Sequence, residues 1–182
     1  MESSTQDLRV VKTIDIIKNA LLTLIPQKSF REITVVEIAR IARVNRKTFY
    51  NHYTSIEDAL LDIEKDYVAE ISEQIEQLNP DNLGGAILIY YKFLDSDDPV
   101  RQKLLYGSDY EKFFDRLNSD VMTLPFFMRF CKNDEYRDLV LGYLDATAGI
   151  YMRWRREPVH KVDLKGLAER AAKLIYAGLA SV

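Results

Sequence analysis

An all-α fold is predicted by three observations. Apolar residues recur every three or four positions along most of the chain, and residues that cap helices stand at the starts of those stretches. The one strand-like run, Ile87-Leu-Ile-Tyr-Tyr91, has no second strand to pair with. With 182 residues, 47% of them hydrophobic, the chain can bury a sizeable core as one or two domains. The pattern divides it into a three-helix head, 1–54, and a helical body, 55–182.

The first helix is marked by Ile14, Ile17, Leu21, Leu24 and Ile25, and Pro26-Gln-Lys-Ser29 breaks it. Phe30 and Ile33 lead into a second helix with its own start signal. The Thr34 side chain can accept from the amide three residues on while Glu37 reaches back to the amide of Thr34, a capping box. Val35, Ile38, Ala39 and Ala42 then form one apolar stripe. Asn45 is a good N-cap for a third helix, so the link from Ala42 is short enough to require a helix-turn-helix. Phe49 and Tyr53, four apart, point inward and leave Arg46, Lys47, Thr48, Tyr50, Asn51 and His52 outward or at the edges. Such side chains suit a DNA groove: Arg reads guanine bidentately, Asn reads adenine, and Thr or Tyr donates to phosphate. The alternative is a pair of solvated helices whose surface happens to be basic.

Together Ile17, Ala20, Phe30, Ile33-Thr34-Val35, Ile38-Ala39, Ala42, Val44, Thr48-Phe49-Tyr50, His52-Tyr53 and Leu60-Leu61 resemble the TetR family of bacterial transcriptional regulators, over roughly the first third of the chain. The Asn-Arg-x-Thr-Phe-Tyr form is similar to a subgroup that includes activators of dihydroxyacetone kinase operons. The resemblance implies an N-terminal helix-turn-helix DNA-binding domain followed by a helical ligand-binding and dimerisation bundle. It also implies a homodimer reading an inverted repeat in double-stranded DNA, with a small ligand or partner protein in control. On the matching positions the DNA-binding residues are Thr34, Arg43, Asn45, Arg46, Lys47, Thr48, Tyr50, Asn51 and His52. Three positions depart from the family pattern: Ser29 and Arg43 stand where glycine is frequent, and Ile56 stands where a phosphate-contacting lysine is common. Arg43 brings a positive charge that offsets the missing lysine. A left-handed backbone there would carry strain.

Charge is divided in the same way. Residues 1–54 hold 9 Lys and Arg against 5 Asp and Glu, and residues 55–182 hold 16 against 23, so a +4 head sits on a −7 body within the overall −3. That balance argues against a non-specific DNA coat and for binding localised to the head.

In the body, Ser55 and Asp58 start a long helix carrying Leu60, Ile63, Tyr67, Ile71, Ile75 and Leu78 as far as Asn79-Pro80, about 35 Å. Further helices are expected over Ala86–Leu94, to Tyr106 and over Ser108–Met122, with Asp97-Asp98 as caps, followed by a Pro125-led aromatic stretch to Cys131. Two final helices are expected from Asp134 to Arg156 and from Asp163 to Ala180. Gly142, Ala146 and Gly149 on the first, with Ala168, Ala171 and Ala172 on the second, allow close helix approach. In the resemblance these helices form a four-helix dimer interface; packing inside one subunit would use small residues equally well. Tyr90, Tyr110, Phe114, Phe127, Tyr143 and Trp154 stand among many body aromatics and are either core or the lining of a ligand pocket.

Several function classes are disfavoured. Histidine occurs only at His52 and His160, and the chain has no glycine-rich phosphate loop, metal-binding spacing or nucleophile motif, so neither an enzyme nor a cofactor or metal site is expected. Arg153, Arg155 and Arg156 form either an anion site or a solvated helix end. Cys131 stands alone, as core or as a redox sensor. With no apolar run of about 18 residues and no signal segment, a cytoplasmic protein is expected. The runner-up function is a protein-interaction module whose head, altered at Arg43 and Ile56, has lost specific DNA binding.

Overall fold

The computed structural model describes residues 2–130 and 137–179. Cys131 and the expected helix start at Asp134 lie outside the described residues. Among the described residues there are ten α-helices, two 3₁₀ turns and no strand. The Ile87–Tyr91 run is helical, as its missing partner strand requires.

The head begins with α1, Glu2–Leu24, whose Ile17, Ala20, Leu21 and Leu24 are buried. A 3₁₀ turn at Phe30–Glu32 leads to α2, Val35–Ala42. The capping box is present: Glu37 N donates to Thr34 Oγ1 at 3.3 Å, and Thr34 N donates to Glu37 Oε2 at 3.1 Å. Buried Ile38, Ala39 and Ala42 follow the expected stripe. The next helix, α3, is Arg46–Tyr50, and α4 is Ile56–Glu76. Asp58 N donates to Ser55 Oγ at the start of α4, while the Asp58 carboxylate accepts from Thr54 N at 2.9 Å. The helix is about 31 Å long, shorter than expected. Pro80 disfavours helical backbone at Asn79, and Leu78 N closes onto Ile75 O in a final turn.

The remaining helices are α5 (Leu83–Leu94), α6 (Pro99–Tyr106), α7 (Glu111–Met122), α8 (Pro125–Met128), α9 (Arg137–Arg155) and α10 (Leu164–Leu179). Asp98 caps α6, accepting from Val100 N at 2.7 Å and Arg101 N at 3.2 Å. Asp163 accepts from Gly166 N at 2.8 Å ahead of α10.

Two compact units make up the chain. The first comprises Met1–Asp66 together with Asp97–Phe114, so a stretch distant in sequence joins the head. There the 3₁₀ turn at Ser108–Tyr110 packs on the one at Phe30–Glu32: Phe30 N donates to Asp109 Oδ2 at 3.3 Å, and the Tyr110 ring meets Phe30 edge-on at 5.4 Å. The second unit, Tyr67–Ser96 and Asp115–Val182, is built on α5 packed against α10, with α9 beside both. A methyl placed on Gly84 of α5 would stand 3.7 Å from the Ala172 side chain, so small residues do bring helices together inside this unit. Tyr91 Oη donates to Thr147 O and Tyr151 Oη to Asp95 Oδ1, both at 2.9 Å, tying α9 to α5.

Candidate nucleic-acid interface

The turn between α2 and α3 sets the direction of α3. Arg43 adopts φ 55°, ψ 38°, the left-handed region, as its place at the C-terminus of α2 demands. Its amide and that of Val44 return to the last turn of α2, Val44 N donating to Ala39 O at 3.0 Å. One residue later Asn45 Oδ1 accepts from Lys47 N at 2.9 Å and starts α3. Phe49 is fully buried and Tyr53 nearly so, which turns the opposite side of α3 to solvent.

Arg43, Asn45, Arg46, Lys47, Tyr50 and Asn51 are all exposed, Thr48 and His52 half-buried, and Thr34 exposed at the start of α2. All but Thr34 lie on α3, at its two caps or just beyond them. Tyr50 is 51% exposed, a large aromatic held edge-on against Phe49 with ring centroids 5.5 Å apart. The Thr34 hydroxyl donates to Glu37 at 2.8 Å and Lys28 Nζ approaches Glu37 Oε1 at 2.5 Å. The lysine first and the hydroxyl second hold the Glu37 carboxyl below the usual carboxylate range. Burial first, then the bond to Asp62, pushes the Tyr53 hydroxyl well above the usual tyrosine range, so it stays a donor at physiological pH.

No protein-family model and no curated protein sequence matches the chain. Solved structures do. A TetR transcriptional regulator from Streptococcus agalactiae 2603V superposes with a TM-score of 0.70 at 20% identity, covering 95% of this chain and 98% of that one. The dihydroxyacetone kinase operon activator DhaS gives 0.57 at 22% identity, with 92% and 96% covered. The fatty acid degradation regulator FadR from Bacillus halodurans gives 0.54 at 20%, with 89% and 93% covered. The chain has the TetR-like fold.

Within this TetR-like fold the other sequence-derived candidates separate. Tyr110 and Phe114 belong to the first compact unit, whereas Tyr90, Phe127, Tyr143 and Trp154 belong to the second. Tyr110 is buried against Phe30, and burial pushes its hydroxyl up to about 12. In the second unit Tyr90 is fully buried and donates to Asn118 Oδ1 at 2.8 Å; Asn118 in turn donates to Asp145 at 2.9 Å. Burial raises the Asp145 carboxyl. Phe127 is core, half-exposed Tyr143 lies across Gly178, and Trp154 stacks on His160 at 3.8 Å while donating to Val162 O.

The small residues divide by exposure. Ala168, Ala171 and Ala172 are covered within their own chain, at 0%, 1% and 5% exposure. Gly142, Ala146 and Gly149 are exposed, and a side-chain methyl at either glycine would meet nothing within 4 Å. Their face of α9 also exposes Leu139 and Tyr143. Sequence reasoning passed over Lys18, Asp62 and Asp66, which meet beside the Tyr53 hydroxyl; an acidic residue nine positions after Tyr53 carries no local signal.

Among the described residues no helix is long and apolar enough to cross a membrane, and no group of three His, Cys, Asp or Glu side chains is placed to hold a metal.

Proposed function

We propose that this protein is a sequence-specific, non-enzymatic, DNA-binding transcriptional regulator, with residues 1–54 as the reading head, packed within its unit by the 97–114 stretch, and the rest of 55–182 as the regulatory and dimerising body. The observation that carries the reading is α3: five residues long, capped by Asn45, buried at Phe49, and presenting Arg46, Lys47, Tyr50 and Asn51 to solvent. A helix fixed on one side and lined with groove-reading groups on the other is what major-groove docking needs. The TetR, DhaS and FadR likenesses support the same assignment, each being described as a regulator or activator.

A homodimer reads an inverted repeat, because two reading helices related by a twofold axis meet half-sites about one helical turn or a multiple of it apart. The seam we assign is the exposed stripe of α9, Leu139, Gly142, Tyr143, Ala146 and Gly149, with Leu174 of α10, which is 65% exposed. Apolar surface of this kind gains by being covered, and the glycines let two backbones approach. A small ligand or a partner protein then controls affinity by favouring one head spacing over another. The aromatic core of the second unit, with Tyr90 bonded to Asn118 and Asn118 to Asp145, is the supporting feature for that role.

Selection of bound sequences from a random duplex pool at about 0.1 M salt tests the reading. Recovery of an inverted repeat is expected. Recovery of no motif, with and without lowered salt, leaves a protein-interaction module with an inactive head.

A further inference from the structure

The reading helix is too short to hold itself. A five-residue helix has barely one turn of internal hydrogen bonds and no intrinsic stability, so its pose is set by whatever grips its two ends. At the N-terminal end the grip is the Asn45 cap. At the C-terminal end the chain leaves α3 through Asn51 and His52 and is caught at Tyr53, whose amide donates to Phe49 O at 2.9 Å. The Tyr53 ring is 5% exposed and lies 5.7 Å from the Phe49 ring. Its hydroxyl donates to Asp62 Oδ2 at 2.8 Å, on the second turn of α4. The same carboxylate oxygen is 3.7 Å from Lys18 Nζ of α1, and that ammonium is 2.6 Å from Asp66 one turn further along α4. The Lys18 side chain is only 12% exposed, so solvent screens this cluster less than it would a surface pair.

We propose that Asp62 is the positioning residue of the reading helix: through the Tyr53 hydroxyl it locks the C-terminal end of α3 to α4 and α1. Ring burial alone fixes the depth of Tyr53 but not its direction, because apolar packing is non-directional. A hydrogen bond to a carboxylate is directional and charge-assisted, and it fixes the rotation of α3 about its own axis, which decides which of its side chains reach a base edge. Lys18 Nζ, 3.7 Å from the same Asp62 oxygen, helps hold that carboxylate in place. Asp62 touches no DNA in this scheme. The α4 helix passes from the first compact unit into the second just after Asp66, so the lock joins the reading helix to the element that leaves the head.

This inference rests on α3 being the reading helix, and its test separates the two. Backbone-amide hydrogen exchange is measured on the full chain carrying Tyr53→Phe, Asp62→Ala, Asp62→Asn or Tyr53→Phe with Asp62→Ala, beside affinity for the selected duplex. In Tyr53→Phe and Asp62→Ala the amides of Phe49, Asn51 and Tyr53 exchange about tenfold faster while those of α2 keep their rates. The double variant is no worse than either single one, and Asp62→Asn, which keeps an acceptor, retains most of the protection. Duplex affinity falls with the loss of protection at an unchanged salt slope, because the phosphate contacts are the same. Unchanged exchange in Tyr53→Phe, which keeps the ring and folds even where Asp62→Ala does not, overturns the lock. So does equal acceleration of α2 and α3, the mark of a purely structural bond. Loosened α3 amides in a protein whose parent selects no duplex leave the lock standing and remove the DNA-reading role.

Discussion

Arg43 is, among the described residues, the one non-glycine residue with positive φ, and it lies in the turn that aims α3. An L-residue pays roughly 1 kcal/mol or more for that backbone, which a glycine would not. Arg43→Gly is therefore expected to raise thermal stability modestly, by up to about 1 kcal/mol after allowing for the entropy of glycine. It also removes a charge at the reading face, so duplex affinity should fall and the salt slope should drop by about one phosphate contact; melting curves and salt titrations report the two effects separately. Arg46→Ala and Tyr50→Ala should each weaken specific binding by roughly tenfold or more, with circular dichroism and oligomeric state unchanged. Unaltered affinity in both would displace α3 as the reading helix. Glu37 adds a pH dependence. Its carboxyl is held low in the folded state by Lys28 and Thr34, so it binds a proton less readily folded than unfolded and adds stability above the unfolded value. That contribution is lost as pH falls through the folded value. Acid melts of the parent should thus show a steeper loss of head stability than melts of Glu37→Gln.

At the scale of the element, several helix starts were legible because caps are contacts between residues two to four apart, whereas α5 begins at Leu83 on an Asn82 cap, three residues ahead of the expected Ala86. Thr34 with Glu37, Asn45, Ser55, Asp98 and Asp163 all act at the helix starts where spacing put them. Thr34→Ala should cost about 1 kcal/mol of head stability, visible as a lowered urea midpoint with an unchanged slope. Packing partners were less legible. A small residue at helical spacing reads the same whether its neighbour is a helix of its own chain or of another. Ala168→Leu should destabilise the folded chain by about 1 to 3 kcal/mol, because Ala168 has no exposed surface left to give. Ala146→Leu, on the exposed side of α9, should leave monomer stability within about 0.5 kcal/mol. Equal losses in the two would mean that the two helix faces are not distinguished as described.

For the whole molecule the assignment of a dimer turns on the α9 stripe. Ala146→Glu or Gly149→Glu buries a charge if two copies meet there, so sedimentation at micromolar concentration should shift towards the 21.1 kDa chain, while Glu at exposed Lys173 should not shift it. A parent that already sediments as a single chain would remove the seam. The sequence by itself determined the all-α class, the capped helix starts at Thr34, Asn45, Ser55, Asp98 and Asp163, and the outward face of α3, since each follows from capping or periodicity acting within a few residues. Tertiary structure alone decided three other things. It chose which small residues are buried inside the chain, Ala168, Ala171 and Ala172, and which remain exposed, Gly142, Ala146 and Gly149. It carried Asp97–Phe114 back to the head, with Asp109 and Phe30 meeting across 79 positions of sequence. And it gathered Lys18, Tyr53, Asp62 and Asp66, with Lys18 and Asp66 separated by 48 positions. The physical reason is common to all three: which face of a helix is covered depends on a second helix whose place is set by chain topology, and no periodicity within one helix encodes its partner.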